Sequence, residues 1–272
     1  MRRGPNWLAF VLALLWLAII LVPVYIMLRA AFMSRDDFAA DGPVGLPASP
    51  TLENFRYALD NGFGLFLVNS LIMTIGCVLI VVLLVPPLAF AIVRGRSRWT
   101  RLSFQTMLFG LAIPAQVVVI PLNYLISQLG LYDTRIGVIL PTAAFTIPLT
   151  TLIMTGVMRE IGQDMYEAMS LDGAGAVRVF LQLALPLSKG GVATIAIFTA
   201  LQAWNNYLIP LTLTRSADLR VATLGLGIFR KEFALNVPGL MSAIVLTVIP
   251  ILLFYIFARR ALIAGIMGTG GK

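Results

Sequence analysis

The sequence contains no histidine, a single cysteine and few charged residues, which account for 12% of its 272 positions. Without histidine, the chain cannot form a Ser-His-Asp triad or a metal site with histidine ligands. Cys77 lies inside an apolar run and has no second cysteine to pair with, so we expect a small packing residue rather than a reactive thiol. We therefore expect this chain to have no catalytic residues and no metal site.

Hydrophobic residues make up 59% of the chain, whereas soluble domains contain about 45–50% apolar and about 25% charged residues. One soluble core of this length cannot bury such an excess, so we expect the chain to lie in a lipid bilayer. The net charge of +8 raises the alternative of nucleic-acid binding. Because the arginines flank apolar runs instead of forming a stripe on a soluble face, membrane topology explains them better, and we expect no nucleic-acid partner.

Six stretches are apolar and long enough to cross a hydrocarbon core, which requires about 20 residues. None has an Asp, Glu, Lys or Arg well inside it. The sequence therefore predicts an all-α integral membrane protein with six transmembrane helices, forming a single domain over residues 1–272 with core helices at about 65–258. The predicted spans are roughly Trp7–Leu28, Leu65–Val93, Leu102–Ile126, Gly137–Val157, Gly191–Leu213 and Leu240–Ala258.

The ends of the first two spans indicate the orientation. Arg2 and Arg3 precede an apolar run of about 22 residues, which exceeds the 7–15 of a secretory signal, so we expect it to remain as the first helix. The short loop after the second span holds four arginines and no acid, which favours a cytoplasmic position and places both termini in the cytoplasm. These arginines are Arg94, Arg96, Arg98 and Arg101.

The loops on the two sides differ in character. The first outer loop, Arg29–Gly62, contains Asp-Gly, Gly-Pro and Ser-Pro steps and is predicted to be irregular until Leu52–Asp60. The cytoplasmic segment at about 159–188, called the elbow below, is charged and periodic. It lies between the fourth and fifth predicted spans.

The elbow is predicted to be a helix–turn–helix. The first helix carries a short stripe at i, i+3, i+4 and i+7, and Asp172-Gly173 predicts a turn after it. The second helix carries an amphipathic stripe that Pro186 is expected to end. The two stripes are Met165, Ala168, Met169 and Asp172, then Val177, Phe180, Leu181, Ala184 and Leu185. Periodicity alone leaves two interpretations open, a helix lying on lipid headgroups and a docking element for a cytoplasmic partner.

The elbow resembles the EAA loop of ABC importer permeases, which has E-A-A, three residues, G, nine residues and then I-x-L-P. The matching residues are Glu167-Ala168-Met169, Gly173 and Leu183-Ala184-Leu185-Pro186. Met169 replaces the family's third-position Ala, Leu183 replaces Ile, and a family proline shortly after L-P is missing near Lys189. Both replacements are apolar, so the helix is still expected.

Further motifs are similar to those of carbohydrate-importer permeases, in particular the smaller, six-helix permease of maltose-transporter-like systems. The resemblance extends from the first span to Gly265. The motifs are Asn54-Phe55, Asn69-Ser70, Pro121-Leu122, Gly130-Leu131-Tyr132-Asp133-Thr134 and Ala203-Trp204-Asn205-Asn206.

The resemblance implies a multi-pass permease in the inner membrane of a prokaryote, paired with a second permease as a heterodimer. Two cytoplasmic ATPase subunits bind ATP and Mg²⁺, and an extracytoplasmic solute-binding protein delivers the solute. This chain has no G-x-x-x-x-G-K-[ST] phosphate loop. The Gly-Lys step in Gly270-Gly271-Lys272 resembles part of that loop but lacks its first glycine, so we expect this chain to bind no cofactor and to have no ATPase activity. By resemblance, coupling to the ATPases is assigned to Met165, Glu167, Ala168, Met169, Asp172 and Gly173.

The polar residues predicted within the spans are neutral. Amides beside aromatic rings suit the hydroxyls and apolar face of a sugar, although such amides also join helices to one another. The candidates for the substrate pathway are Gln116, Asn123, Gln202, Trp204, Asn205, Asn206 and Tyr207.

The residues are compatible with more than one class of solute and with two interpretations of the prolines. The solute could be a peptide or a phosphonate-like compound instead of a sugar. A secondary transporter, a channel or a membrane-embedded enzyme is disfavoured because the spans lack acids, filter motifs and a nucleophile–base pair. The prolines in or near the spans predict either ordinary kinks or local unwinding. They are Pro114, Pro121, Pro141, Pro148, Pro210 and Pro250.

Overall fold

The computed structural model describes residues 6–42, 49–95, 97–229 and 236–267, with side chains as far as residue 256. Every regular element in these ranges is helical. The predicted orientation signals at Arg2, Arg3 and Arg96 and the tail Gly270-Gly271-Lys272 lie outside the described residues.

Fourteen α-helices, some of them single turns, are found in the described ranges. Short 3₁₀ turns follow α5, α12 and α13, and a π-helical turn joins α9 to α10. The helices are α1 (Trp7–Ala31), α2 (Arg35–Asp41), α3 (Glu53–Asp60), α4 (Phe63–Arg94), α5 (Arg98–Phe109), α6 (Ala115–Gln128), α7 (Arg135–Arg159), α8 (Gln163–Leu171), α9 (Ala176–Val179), α10 (Leu185–Leu187), α11 (Lys189–Trp204), α12 (Leu208–Leu213), α13 (Ala222–Gly225) and α14 (Val237–Met267).

Among the described residues, four helices are long and apolar enough to cross a membrane, and two bent pairs raise the number to six if each pair forms one span. The four are α1, α4, α7 and the Val237–Ile256 part of α14. One bent pair joins Arg98–Ala112 to Ala115–Gln128 at 106°, and the other joins Ala176–Leu187 to Lys189–Trp204 at 74°. The first bend lies inside the third predicted span, whereas the second lies at Ser188, before the fifth predicted span begins at Gly191, and the number of crossings lies between four and six.

One of the two breaks within the predicted spans lies at a proline. Ile113 has an extended backbone (φ −88°, ψ 111°), the conformation that the following Pro114 favours, and α6 begins just after this proline. The other break lies at Asn205–Tyr207, between α11 and α12, without a proline. Pro121, Pro141, Pro148 and Pro250 lie inside continuous helices, which agrees with the interpretation as kinks. Pro210 lies in the first turn of α12, where a helix tolerates proline.

The chain divides into two compact units, of which the first is formed from Met1–Gly64 and Gly225–Pro250. In this unit Asn54 of α3 donates from its side chain to the carbonyls of Ala31 and Met33, at 3.1 and 2.7 Å, and so fixes α3 beside the end of α1. The prediction that the outer loop stays irregular until Leu52 is wrong, because α2 occupies part of it.

A serine side chain caps the N-terminus of α2, although the residue pairs of this loop predicted irregular structure. Ser34 accepts a hydrogen bond from the backbone nitrogen of Asp37 at 3.1 Å, and Asp36 and Asp37 lie in the positively polarised first turn. Gly42 ends the helix with φ +66°. The Ser-x-x-Asp pattern was the available signal for this helix.

The second unit comprises Leu65–Leu224 and Ile251–Lys272 and contains the core that positions the elbow. Its centre is formed by α4, α7 and α11, where Cys77, Val81, Val85 and Ala89 recur at four-residue spacing along α4 and are fully buried. Cys77 is thus a packing residue, as predicted. At the contact of α11 with α7, Gly191 lies so close to Met154 and Val157 that a Cβ would approach their side chains to 3.0–3.2 Å. Small residues of this kind allow membrane helices to pack closely.

Candidate functional site

The first half of the elbow is α8, which ends in a tight reversal at Gly173. The amide of Ala174 donates to the carbonyl of Met169 at 3.0 Å, and that of Gly173 donates to Ser170 at 3.1 Å. These two bonds form a Schellman motif, which requires a left-handed residue, and Gly173 has φ +71°. A Cβ there would meet no atom within 4 Å, so the need for glycine arises from the backbone conformation and not from crowding inside the chain.

The inner face of the elbow is formed around Tyr166, a residue that the sequence stripe did not include. Tyr166 is only 2% exposed and packs with Val179, Leu183 and Ala184. Met169 is half-buried against the same cluster. The other coupling candidates, Met165, Glu167, Ala168, Asp172 and Gly173, are exposed.

Two aromatic contacts join the elbow to the C-terminal end of α4. The guanidinium carbon of Arg94 lies 4.5 Å from the ring centroid of Tyr166, and the rings of Phe90 and Phe180 are 5.4 Å apart. A cation–π contact at an exposed site contributes about 0.5–1 kcal/mol. Desolvation raises the pKa of Tyr166, and the charge of Arg94 partly opposes this rise. The Tyr166 hydroxyl is buried and has no hydrogen-bond partner among the described residues.

The second half of the elbow departs from the predicted stripe. Phe180 and Ala184 face inward as expected, but Val177 is 72% exposed and Leu181 is also exposed. Val177 lies in the first turn of α9, and Leu181 lies in a π-helical turn at Phe180–Ala184, in which the amide of Leu185 donates to Phe180 five residues back. Such a turn changes the phase of the residues that follow its start, and Val179 and Leu183, four residues apart, are the buried pair.

Pro186 does not end the helix, contrary to the prediction. The chain continues through α10 to Leu187, and the bend lies at Ser188. Pro186 has no amide hydrogen, so a regular helix would lack one bond at this point, and the π-helical turn lies just before it.

Exposed apolar side chains occur on both halves of the elbow. They include Leu171, which is 90% exposed, and Val177. Met165 and Leu181 are exposed as well. Glu167 accepts a hydrogen bond from Gln163 at 2.8 Å within its own helix. The exposed surface of the elbow therefore includes apolar side chains of both halves, and the Glu167 carboxylate is bonded within α8.

Three substrate-pathway candidates have structural contacts inside the chain. Asn123 of α6 donates to the carbonyl of Thr212 in α12 at 2.6 Å. Asn206 accepts a hydrogen bond from the amide of Ile209 at 3.2 Å and donates to Thr142 of α7 at 3.3 Å. Trp204 is buried, with 5% exposure. For Asn123 and Asn206 the interpretation as helix-joining amides fits these contacts.

The other four candidates, Gln116, Gln202, Asn205 and Tyr207, are exposed. Gln116 lies in the first turn of α6, just after the Pro114 break. Asn205 and Tyr207 lie in the break between α11 and α12, where Asn205 donates only one turn back along its helix, to Leu201 at 2.9 Å. The two helix breaks thus carry most of the exposed candidates.

An apolar cavity of about 400 Å³ lies at the bend between α5 and α6. Ile113, Pro121, Phe145 and Pro148 are among its lining residues, and the seven pathway candidates are not. None of its lining side chains is polar, so the cavity has no side chain that could orient a sugar through hydrogen bonds.

Two of the sequence motifs anchor the segment that follows α12. Asn69 donates to the carbonyls of Asp218 and Arg220, at 2.6 and 3.0 Å. Ser70 accepts from the amide of Ala222 at 2.8 Å. The hydroxyl and the amide of Ser216 donate to the carboxylate of Asp133, which also accepts from the amide of Arg215 at 2.8 Å, and these bonds hold its pKa below the ordinary value of 3.8.

Comparison with known proteins identifies this arrangement of helices. The sequence profile described as binding-protein-dependent transport system inner membrane component matches residues 86–267, a range that contains the elbow and all seven pathway candidates. The chain belongs to this family of inner membrane components. It is therefore a multi-pass membrane protein and a transporter permease, and the resemblance to ABC importer permeases is confirmed.

Members of the family with different solutes are similar over almost the whole chain. The diacetylchitobiose uptake system permease protein of Streptomyces coelicolor is 35% identical over 263 residues, covering 95% of this chain and 86% of that protein. The sn-glycerol-3-phosphate transport system permease protein of Yersinia pestis is 29% identical over 282 residues, covering 98% of both.

The fold of the inner membrane component also agrees with a solved structure. A crystal structure of a bacterial ABC transporter involved in the import of the acidic polysaccharide alginate aligns with a TM-score of 0.83 and 21% identity. The alignment covers 96% of this chain and 99% of that one. This likeness establishes the all-α fold.

Proposed function

We propose that this chain forms half of the translocation pathway of an ATP-driven importer, as a heterodimer with a second permease. Two cytoplasmic ATPase subunits and an extracytoplasmic solute-binding protein complete the assembly. Membership of a binding-protein-dependent transport family supports this set of partners. In this proposal the chain lies in the cytoplasmic membrane of a prokaryote, in contact with lipid, with both termini in the cytoplasm.

The elbow is the proposed contact with an ATPase subunit, and the observation that carries this proposal is the Gly173 reversal. It joins two short helices whose exposed side chains include Leu171 and Val177, and such apolar exposure favours a protein partner. ATP and Mg²⁺ bind to the ATPase subunits in this proposal, since the sequence has no phosphate loop of its own. The chain then transmits motion and performs no hydrolysis.

The proposed solute is a neutral oligosaccharide or sugar derivative. No charged residue lies well inside the apolar stretches, whereas a charged solute usually requires a charged partner at depth. The exposed pathway candidates are the amides Gln116, Gln202 and Asn205 and the ring of Tyr207, which suit hydroxyl groups and an apolar ring face. The relative from Streptomyces coelicolor is named for diacetylchitobiose, a neutral disaccharide.

Uptake into proteoliposomes tests this proposal. The chain is reconstituted with its second permease, its ATPase subunits and its solute-binding protein, with ATP enclosed on the ATPase side. Radiolabelled diacetylchitobiose and radiolabelled glycerol 3-phosphate serve as a neutral and a charged probe. We expect uptake of the neutral probe that requires both ATP and the binding protein. Uptake without ATP would contradict the importer mechanism, and uptake of the charged probe alone would contradict the neutral solute.

A further inference from the structure

The C-terminal end of α4 contacts both halves of the elbow through two residues one turn apart. Arg94 covers the ring of Tyr166 in α8, and Phe90 packs against Phe180 in the second half. No stretch of chain directly joins α4 to the elbow, since α5, α6 and α7 lie between them in sequence. This attachment is therefore made by side chains alone.

The same contacts continue into the core of the second unit. Phe90 and Phe180 pack against the cluster around Tyr166 and also against the core cluster of α4, α7 and α11. A displacement of the inner face of the elbow therefore presses on α4 through a continuous set of packed side chains. Close-packed interiors of this kind transmit strain.

The covalent connections of the elbow leave α8 free to tilt. Before α8 the chain passes through exposed Gly162, and after the second half it bends by 74° at Ser188. Without a lateral contact, a force on α8 could rotate the elbow about these two points and leave the membrane helices in place. Phe90 supplies such a contact to the second half of the elbow, and Arg94 supplies the one to α8 itself, because its planar guanidinium lies over the buried Tyr166 ring.

We infer that Arg94 is a positioning residue that clamps α8 to α4, so that movement of the elbow is passed to α4 as well as to its chain neighbours α7 and α11. This inference rests on the proposed function, which supplies the force from an ATPase subunit. It predicts that α8 and the end of α4 move as one body when ATP binds.

A distance measurement tests the clamp without any solute. Nitroxide labels are placed at Ala91→Cys on α4 and Gln163→Cys on α8 in the complete reconstituted transporter. This chain carries Cys77→Ala, and the cysteines of the other subunits are replaced. With Arg94 present, we expect the distance distribution to stay the same when ATP and vanadate are added. With Arg94→Gln, the distribution should shift or broaden on the same addition. A shift already present with Arg94 would overturn the inference.

Transport measurements add a functional readout. In Arg94→Gln we expect the ATPase subunits to remain bound and to hydrolyse ATP, while diacetylchitobiose uptake per ATP falls about two- to fivefold, the range of a partly exposed cation–π contact. The uptake per ATP of Arg94→Lys should lie between the values for Arg94 and for Arg94→Gln, because an ammonium is charged but lacks the planar stacking surface. Tyr166→Phe keeps the ring and should retain coupling, whereas Tyr166→Leu should resemble Arg94→Gln.

The matched control is Arg98→Gln, which removes one exposed positive charge from the same short connection. It should leave uptake per ATP unchanged, and an equal loss in Arg98→Gln would overturn the inference by showing a general effect of charge. A normal uptake per ATP in Arg94→Gln would also overturn the inference about Arg94, while the proposal that the chain belongs to an importer would stand. Absence of ATP-dependent uptake with Arg94 in place would instead contradict the proposed function, and the clamp with it.

Discussion

The carboxylate of Asp133 accepts a hydrogen bond from the backbone amide of Ser216 at 3.0 Å, across 83 positions of sequence. Asp133 also has φ +58° and donates its own amide to the carbonyl of Leu213 at 2.9 Å. Aspartate tolerates this left-handed conformation better than most residues. The residue therefore fixes the chain just after α12 with its backbone and its side chain together.

This contact predicts a dependence on pH. The folded-state pKa of Asp133 lies below the ordinary value of 3.8, so the ionised form stabilises the contact. Its contribution is present above the ordinary pKa and is lost as the pH falls through the lower, folded value. We expect hydrogen-exchange protection of the Arg215 and Ser216 amides to be constant between about pH 5 and 8 and to decrease below about pH 4. The measurement is exchange followed by mass spectrometry.

Asp133→Asn is the control for this prediction, because asparagine keeps the shape and tolerates positive φ but does not titrate. In this variant the Arg215 and Ser216 amides should be less protected from hydrogen exchange at neutral pH, and their protection should not change as the pH is lowered. A decrease with falling pH of equal size in both proteins would assign the effect to another group.

Two asparagines are predicted to separate transport from stability. Asn205→Ala removes an exposed amide whose hydrogen bond to Leu201 lies within its own helix, so uptake of diacetylchitobiose should fall while the melting temperature stays nearly constant. Asn123→Ala removes the bond between α6 and α12 and should destabilise the chain by about 0.6–1.7 kcal/mol, the range found for such bonds in membranes. Uptake assays and thermal unfolding in detergent are the measurements.

The outcome for Trp204 differs from that for Asn205. Trp204 is buried, so Trp204→Ala should cost roughly 3–5 kcal/mol of stability and cannot by itself report on solute contact. If Asn205→Ala leaves uptake unchanged while Asn123→Ala lowers it, the polar residues of these helices act as joints between helices and not as solute contacts.

Hydropathy was sufficient to predict the positions of the long helices, because twenty apolar residues in lipid have almost no alternative to a helix. It could not locate the breaks. Proline was the signal considered, yet Pro121 and Pro148 lie inside continuous helices while the break at Asn205–Tyr207 has no proline. Neighbouring helices determine which backbone bonds can be given up, and this information is not local in sequence.

The elbow shows the same limit at the level of single side chains. The reversal predicted at Asp172-Gly173 coincides with the end of α8, because the need for positive φ is local. The predicted buried face was wrong at Val177, which lies in the first turn of α9, and at Leu181, which lies in the π-helical turn before Pro186. Tyr166 was missed since a stripe at helical spacing could be drawn through Met165 and Ala168 equally well, and only the packing against Arg94 and Leu183 decides between the two.

The orientation of the chain is a separate prediction. The arginines at Arg94, Arg98 and Arg101, next to a long apolar helix, favour a cytoplasmic loop, and an even number of crossings places both termini on the same side. A phosphatase reporter that is active only outside the cytoplasm, fused after Lys272, should be inactive. A fluorescent reporter that folds only in the cytoplasm should be bright at the same position. The opposite pair of results would contradict the proposed topology.

The sharpest prediction concerns two glycines of the elbow that differ in backbone conformation. Gly173 has φ +71° and Gly175 has φ −69°, and a Cβ at either position would meet no atom within 4 Å. Alanine at position 173 therefore incurs a conformational penalty of about 1–2 kcal/mol, whereas alanine at 175 incurs almost none. We expect Gly173→Ala to reduce ATP-driven uptake several-fold, Gly173→Val to abolish it, and Gly175→Ala to leave it near normal.

Assembly and hydrolysis identify the step that fails in the Gly173 variants. The long helices are untouched, so Gly173→Val should still insert and pair with the second permease, while its ATPase subunits dissociate more readily or hydrolyse ATP without moving solute. Glu167→Ala should reduce uptake by less, because an exposed ionic contact contributes only about 0–1 kcal/mol. A Gly173→Val complex that retains its ATPase subunits and transports at the normal rate would exclude the elbow as the coupling element. Equal losses in Gly173→Ala and Gly175→Ala would show that contact with the partner, and not the left-handed turn, sets the requirement for glycine.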